Sequence, residues 1–240
     1  MTPQTLESCK SFIECQIHEH RNVVSRWGGK SFVTISRQAG AGGITIGRIL
    51  GNILREHDKR GRCGCPWTVF DRDLVAETLK EHNLSRRLEA FMSEDKESEV
   101  QDTLEELFGL HPARWILVRK TSQTILRLAQ EGRVILVGRG ANVLTRKLVG
   151  GFHVRLVGSY AKRLEHMRSY YGLNAGQAEA LIKKEDAGRK SYLKKYFSQD
   201  IDDPLLYDLV INTDAVSYED AARHIAQGVT RRSMACKEES

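Results

Sequence analysis

The chain lacks the features that would place it in a specialised class of protein. None of its apolar runs is long enough to span a bilayer, and the amino-terminal stretch MTPQTLESCKSFIECQIHEH has no apolar signal core. We therefore expect neither a membrane protein nor an exported one. No internal repeat or low-complexity tract is present either. The 240 residues, 40% hydrophobic and 28% charged, can bury a sizeable core and are typical of a globular protein.

Cysteine is scarce, and its distribution predicts no metal site. The five cysteines are Cys9, Cys15, Cys63, Cys65 and Cys236. Their number is odd, and their spacings match no zinc pattern. We therefore expect reduced thiols and a cytoplasmic location.

The charge balance favours anionic partners. The formal net charge is +6 and the sequence pI is about 9.1, which suits phosphates or nucleic acid. No nucleic-acid module motif is visible. We therefore disfavour nucleic-acid binding as the role of the basic segment 183–195.

Short apolar runs alternate with helical patterns along the chain. This alternation predicts a three-layer α/β fold with a mainly parallel sheet. Ligands bind beyond the carboxyl ends of such strands. We therefore expect the functional residues to come directly after the strands in the sequence. The predicted strands are 31–36, 67–70, 134–137, 152–157 and 209–211. Five helices are predicted with definite bounds: 3–26, 111–130, 161–171, 176–197 and 218–230. Three more are predicted by position: one from the glycine loop to about His57, one capped by Asp71, and one through Leu144 and Leu148. Short acidic helices are predicted within 82–110.

The most informative segment is SFVTISRQAGAGGITIGRIL, residues 31–50. A β-branched strand is followed by Gly40, Gly42 and Gly43, and then by isoleucines and leucines at helical spacing. A strand, a glycine loop and a helix together point main-chain N–H groups and the positive helix end at a phosphate. A Walker A loop reads G-x-x-x-x-G-K-[ST]. Here Gly43 occupies the place of the lysine, and Arg37 stands where the first glycine would be.

Several arginines are placed where they could serve phosphoryl transfer. Arginine suits this chemistry because its guanidinium is planar, bidentate and permanently charged. Arg139 directly follows a predicted strand, between two glycines that would let the backbone approach a ligand closely. Arg163 and Arg168 lie on the next predicted helix. Arg189 comes three residues after Asp186 and therefore shares its helix face.

Five motifs in this order resemble those of the cytidylate-kinase-like proteins, within the P-loop nucleoside monophosphate kinases. They are ISRQAGAGG, FDRDL, VGRGAN, the helix with Asp186 and Arg189, and DDPLLYDLVINTD. The resemblance runs from about Ser31 to the last helix. It implies a P-loop NTPase-like domain over 31–235, with a helical acceptor-binding insertion at 71–131 and a basic lid at 160–200. Residues 1–30 are predicted to form a helical extension outside this domain, which we expect either to cover the sheet edge or to make a contact in a homodimer.

The resemblance also implies roles for individual residues. The loop N–H groups would cradle the phosphates of ATP, and Thr45 would help to hold Mg²⁺. Arg139 would hold the acceptor phosphate, and Arg189 would close over the transferring phosphoryl group and exclude water. Residues 212–214 would lie near the donor base. The full sets are Arg37, Arg139, Arg163 and Arg189 for catalysis; Gly40, Ala41, Gly42, Gly43, Ile44 and Thr45 for the donor; and Asp71, Arg72, Arg139, Arg168 and Asp186 for the acceptor.

Two departures from the family pattern concern the phosphate contacts. The lysine is missing at Gly43, and the cytidylate-kinase sequence Gly-Arg-Asp ends here in Gly140. Arg37 or Arg48 could replace the lysine, and Arg37 is preferred because it is nearer to the loop.

These patterns favour ATP-dependent phosphoryl transfer to a nucleoside monophosphate of the CMP or dCMP type, or to another small phosphate acceptor. The missing lysine leaves open a nucleotide-binding regulator that has lost turnover. A Rossmann dinucleotide enzyme is disfavoured, because Thr45 stands where Gly or Ala belongs and Asp71 comes later than the usual ~20 residues on.

Overall fold

The computed structural model describes residues 31–58, 66–71 and 115–238. Its strands are β1 (Phe32–Arg37), β2 (Thr68–Phe70), β3 (Val134–Val137), β4 (Gly151–Val157) and β5 (Leu209–Asn212). All their pairings are parallel, and the strands form one sheet in the order β2-β3-β1-β4-β5.

The central strand is β1, which carries the glycine loop at its carboxyl end. Val33 lies beside Ile135 on one side and beside Phe152 on the other. Residues 32–36 are all buried, as expected for a parallel strand that is covered on both faces. The loop is therefore held at the middle of the sheet edge.

Helices cover both faces of the sheet. They are α1 (Gly43–Asp58), α2 (Trp115–Glu131), the single turn α3 (Ala141–Leu144), α4 (Tyr160–Tyr171), α5 (Ala175–Phe197) and α6 (Tyr218–Glu238), with a 3-10 turn at Pro204–Leu206. Val33 and Ile35 pack with apolar residues of α1 and α6 on one face. Phe32 packs with residues of α2 and α5 on the other. No helix in the described ranges is long and apolar enough to cross a membrane.

The hairpin of α4 and α5 packs against the loop that follows β1. Met167, Ala178 and Ile182 form a small buried cluster with Ala39. A capping box formed by Asn174 fixes the start of α5. This hairpin brings Lys184, Glu185 and Arg189 of α5 to the carboxyl edge of the sheet.

The predicted α/β fold and all five strands are confirmed, with bounds that differ by one residue at most. The predicted helix through Leu148 was wrong. The structure ends α3 at Leu144, where the Thr145 hydroxyl donates a hydrogen bond to the Ala141 carbonyl at 2.7 Å. The last helix extends beyond its predicted end, to Glu238. The helices predicted for 3–26, after Asp71 and within 82–110 lie outside the described residues.

Candidate functional site

The loop between β1 and α1 has a conformation that only glycine accommodates at two positions. Gly40 and Gly42 have φ angles of 81° and 74°, in the left-handed region that disfavours side chains. A Cβ on Gly40 would lie 2.5 Å from the Arg163 carbonyl oxygen, and one on Gly42 would lie 2.5 Å from the Tyr218 ring. The loop is therefore both strained for other residues and tightly enclosed.

The loop presents a row of hydrogen-bond donors. Within the described part of the chain, the N–H groups of Gly40 and of residues 42–45 have no hydrogen-bond partner. Those of residues 43–45 belong to the first turn of α1, where the helix dipole adds partial positive charge. Such a row is suited to binding an anion.

A cavity of about 300 Å³, here called the loop cavity, opens onto this row. Its wall includes Thr45, aromatic residues of α4, and Asp71, which is the first residue after β2. Residues of α5 complete the wall. The lining is Arg37, Gln38, Ala39, Gly40, Gly42, Gly43, Ile44, Thr45, Asp71, His166, Met167, Tyr170, Tyr171, Leu181, Glu185 and Arg189.

A second cavity of about 410 Å³, here called the arginine cavity, adjoins the first. Three residues, Arg37, Glu185 and Arg189, line both cavities. The turn that follows β3 supplies Arg139 to the arginine cavity. The remaining lining residues are Ser36, Gly138, Gly140, Asn142, Lys184, Gly188, Tyr192, Leu193 and Ile201.

Arg37 occupies the space in which a Walker lysine would begin. A Cβ on Gly43 would lie 2.9 Å from Cγ of Arg37, and a Cβ on Gly138 would collide with its guanidinium. The pKa of Arg37 falls from 12.5 to about 10, chiefly because burial desolvates the guanidinium and secondly because Arg189 is near. Arg48, the alternative replacement for the lysine, is exposed on α1.

The turn after β3 holds Arg139 in an unusual backbone conformation. Gly138, Arg139 and Gly140 have φ angles of 90°, 56° and 69°. A left-handed conformation costs a non-glycine residue about 1 kcal/mol or more. The Arg139 guanidinium lies 6.0 Å from the centre of the Tyr192 ring, at the limit of a cation–π contact. Burial raises the pKa of Tyr192 to about 12, so this ring stays neutral.

Arg163 ties α4 and α5 to the loop. Only 8% of Arg163 is exposed. Its guanidinium donates to the carbonyls of Gly158 and Ala39, both at 3.0 Å, and to Asp186 at 2.7 Å. Asp186 in turn accepts from the Ala39 N–H at 2.7 Å and from Arg189 at 3.1 Å. Helix α5, part of the predicted lid, is thus bonded to the main chain just before Gly40.

Arg189 is shared between two carboxylates of its own helix. It donates to Asp186 at 3.1 Å and to Glu185 at 2.8 Å. Two arginines, Arg163 and Arg189, therefore face two carboxylates, and this group carries no net charge. An anion that enters between the two cavities would compete with Glu185 for Arg189.

Most of the predicted site residues meet at this edge. Arg37, Asp71, Arg139, Asp186 and Arg189 lie in or beside the two cavities. Their roles stay predictions, as do those of the loop residues Gly40–Thr45. Ala41 is 1% exposed, so it can offer a ligand only its main chain.

Two of the predicted arginines are not brought into either cavity. Arg163 is bonded within the protein, as described above. Arg168 is exposed on α4 and lines neither cavity. Arg72 lies outside the described residues.

Sequence reasoning missed Glu185, Tyr192 and Asn142. The first two share the helix face of Arg189, since they lie four residues before it and three after it. That spacing could have identified them. Asn142 lies three residues after Arg139, and nothing in the sequence marks it as buried.

The residues present fit a nucleoside triphosphate and Mg²⁺. The unpaired N–H row and Arg37 suit a polyphosphate. No cluster of three or more histidines, cysteines or carboxylates able to hold a metal occurs among the described residues. Mg²⁺ needs no such cluster, because it keeps several waters and binds through substrate phosphates and one or two side chains. Thr45, which lines the loop cavity, would be one such side chain.

The parallel strand order, the glycine loop after the central strand and the helical hairpin over it define an α/β protein of the P-loop NTPase type. The model of the cytidylate kinase-like family matches residues 32–215, well over half of the chain. The chain therefore belongs to the cytidylate kinase-like family.

Individual relatives are distant. A uronate isomerase from Corynebacterium glutamicum is 28% identical over 116 residues, 48% of this chain and 22% of the isomerase. A cytidylate kinase from Thermoplasma acidophilum is 26% identical over 85 residues, 35% of this chain and 45% of the kinase. The chain spans less than half the length of either curated relative. The crystal structure of an uncharacterized protein from Eubacterium ventriosum has a TM-score of 0.59 at 17% identity, covering 83% of this chain and 98% of that one. It shares the fold.

Proposed function

We propose that this protein transfers a phosphoryl group from ATP to a nucleoside monophosphate of the CMP or dCMP type, or to another small phosphate acceptor. One observation carries the proposal: two adjoining cavities share Arg37 and Arg189, and each cavity has its own anion-binding groups. The family supports a nucleotide kinase-like activity. The acceptor and the use of ATP are the further steps proposed here.

The loop cavity is the proposed donor site. The N–H groups of Gly40 and of residues 42–45 would bind the triphosphate, and Thr45 would hold Mg²⁺, which neutralises phosphate charge when bound. A further cavity of about 320 Å³ continues from Gly40 between α4 and the segment after β5, and Thr213, Asp214 and Tyr218 line it. This cavity has room for the donor base. Residues 212–214, which are predicted to lie near that base, are in the segment after β5.

The arginine cavity is the proposed acceptor site. Arg139 stands at its wall in a backbone conformation that is costly for arginine, and Lys184 adds a second cation. Arg37 and Arg189, at the boundary, would face the phosphoryl group that moves between the cavities. Transfer of this kind depends on position and positive charge more than on a general base, and these residues supply both.

A second candidate is a nucleotide-binding regulator without turnover. Two observations favour it: the lysine is missing at Gly43, and Glu185 and Asp186 occupy Arg189. In that case nucleotide would bind the loop cavity, and no acceptor would be phosphorylated. Cytoplasmic location and homodimer formation stay predictions from the sequence.

A screen for ADP release tests the proposal. The protein is incubated with ATP·Mg²⁺ and CMP, dCMP, UMP or other phosphate-bearing acceptors. We expect acceptor-dependent ADP release that Arg139→Met lowers at least tenfold and Arg223→Met leaves unchanged, because Arg223 is an exposed residue of α6 outside both cavities. ATP binding without release for any acceptor would support the regulator instead. A thermal shift with NAD(P) but not with ATP would contradict both.

A further inference from the structure

Tyr192 brings a free hydroxyl to the arginine cavity. It is a half-buried residue of α5 and lines that cavity. Its hydroxyl keeps access to solvent and has no hydrogen-bond partner in the described part of the chain. A tyrosine hydroxyl both donates and accepts hydrogen bonds. This one is therefore available to a ligand of the cavity.

The Tyr192 ring lies beside Arg139, whose guanidinium carbon is 6.0 Å from the ring centre. Arg139 makes no hydrogen bond or ion pair with any residue that the structure describes. A free hydroxyl and a free guanidinium thus line the same cavity next to each other. An oxygen atom of an anion can accept from both donors at once.

Aromatic packing holds both members of this pair in place. The Tyr192 ring packs with the rings of Tyr196 and Phe197, whose centres are 5.1 and 5.7 Å away. Phe197 is buried and also contacts the turn that carries Arg139, because a Cβ on Gly140 would lie 2.8 Å from its ring. The same aromatic cluster therefore supports the hydroxyl and the backbone of the guanidinium.

The helix face that carries Tyr192 leaves room for a ligand. Lys184, Gly188 and Tyr192 follow one another at intervals of four residues, and all three line the arginine cavity. Gly188 has no side chain, and a Cβ there would meet no atom within 4 Å. The space along α5 between Lys184 and Tyr192 is therefore open.

The charges of the arginine cavity identify the chemistry of the ligand. Four cations line it: Arg37, Arg139, Lys184 and Arg189. Among its described lining residues, Glu185 is the only carboxylate, and it is paired with Arg189. This excess of positive charge favours an anion, and a phosphate has enough lone pairs to accept from guanidinium groups and a hydroxyl together.

We propose that Tyr192 is a specificity-determining residue, whose hydroxyl donates a hydrogen bond to an oxygen of the acceptor phosphate beside Arg139. The inference rests on the proposed function in so far as the arginine cavity takes the acceptor. It adds that the phosphate of the acceptor, rather than its base or its sugar, lies against α5 at Tyr192.

The test compares Tyr192→Phe with Tyr196→Phe. The first variant removes the hydroxyl alone and keeps the ring beside Arg139. The second is the matched control, because Tyr196 is half-buried on the same helix and lines neither cavity. CMP and inorganic phosphate are titrated calorimetrically into each protein in the presence of a non-hydrolysable ATP analogue and Mg²⁺, which keep phosphate out of the loop cavity. Binding of the analogue and thermal stability are measured separately.

Tyr192→Phe is expected to bind CMP and phosphate about 10- to 100-fold more weakly than the parent, the loss that one hydrogen bond to a charged group predicts. Its thermal stability and its affinity for the ATP analogue should stay parental, because the ring and its packing are kept. Tyr196→Phe should keep the parental affinity for all three ligands.

Parental affinity for CMP and phosphate in Tyr192→Phe would overturn the inference, as would a parent protein that binds neither. Weaker binding of CMP but not of phosphate would also overturn it, because the hydroxyl would then contact the base or the sugar. An equal loss in Tyr196→Phe would show altered packing instead of a lost contact.

The proposed function fails separately. If phosphate binding depends on the Tyr192 hydroxyl but no acceptor ever yields ADP, phosphoryl transfer is refuted and the role of Tyr192 in binding stands.

Discussion

Replacing Arg37 with methionine removes the guanidinium shared by the two cavities but keeps an unbranched side chain over Gly43. The pKa of Arg37 falls from 12.5 to about 10. One pKa unit corresponds to about 1.4 kcal/mol, so holding this charge in the ligand-free protein costs about 3 kcal/mol. The Arg37→Met variant should therefore be no less stable than the parent when no ligand is bound.

The same substitution should weaken ATP binding. A hydrogen bond between charged groups contributes about 1.5–3 kcal/mol, so the dissociation constant for ATP·Mg²⁺ should rise roughly 10- to 150-fold. At an ATP concentration of 100 times the parental constant, ligand stabilises the parent by about 2.7 kcal/mol and a variant of 30-fold lower affinity by about 0.9 kcal/mol. Thermal shift and calorimetric titration both resolve that difference.

Arg48→Met and Arg37→Lys complete the experiment. Arg48 is exposed on α1, so its removal should leave ATP affinity unchanged, whereas Arg37→Lys should keep part of the affinity because it keeps the charge. Parental ATP affinity in Arg37→Met would refute the idea that this guanidinium replaces the missing lysine. Weaker binding in Arg48→Met alone would assign that role to Arg48.

Three further substitutions test other parts of the site and the fold. Gly43→Lys should lower the free energy of unfolding by about 1–3 kcal/mol and weaken ATP binding, because its Cβ would lie 2.9 Å from Arg37. Equilibrium urea unfolding measures the first effect. The double variant with Arg37→Ala should recover both the stability and the ATP affinity. Asp186→Asn should speed hydrogen exchange at the Ala39 N–H and destabilise the protein by about 1–3 kcal/mol, because it weakens the 2.7 Å bond and leaves Arg163 unpaired; unchanged exchange at Ala39 would contradict the bond. Burial lowers the pKa of His153 from 6.5 to about 4, so the folded state binds fewer protons than the unfolded state between these pH values, and stability should fall by about 3 kcal/mol as pH drops from 6.5 to 4. In the His153→Gln variant, stability should change less between these pH values. An equally steep pH dependence of stability in this variant would contradict the role of His153.

The parts of the fold that the sequence predicts well are those in which a local pattern has a single structural solution. The apolar run at 134–137 is short and flanked by glycines, so a buried strand accommodates it best, and the structure contains that strand. The glycines at 40 and 42 likewise predict a loop between strand and helix, and the structure has that loop, in which both residues have positive φ angles.

The predictions fail where the local pattern does not determine the structure. Apolar spacing extends the predicted helix after Arg139 to Leu148, but Thr145 leaves the helical conformation, with φ −99° and ψ 9°, and the helix ends at Leu144. Arg163 and Arg168 are equivalent in sequence, yet the first is buried against Ala39 and the second is exposed. Their helix has weak amphipathic character, so nothing local distinguishes the two sides.

The central claim is that main-chain N–H groups of the glycine loop, helped by Arg37, bind a polyphosphate without the usual lysine. A crystal structure of the protein with a non-hydrolysable ATP analogue and Mg²⁺ tests it most directly. The account predicts phosphate oxygens on the N–H groups of Gly40 and of residues 42–45, with the Arg37 guanidinium within hydrogen-bond distance. Phosphates bound elsewhere, or loop N–H groups that turn away from them, would contradict it.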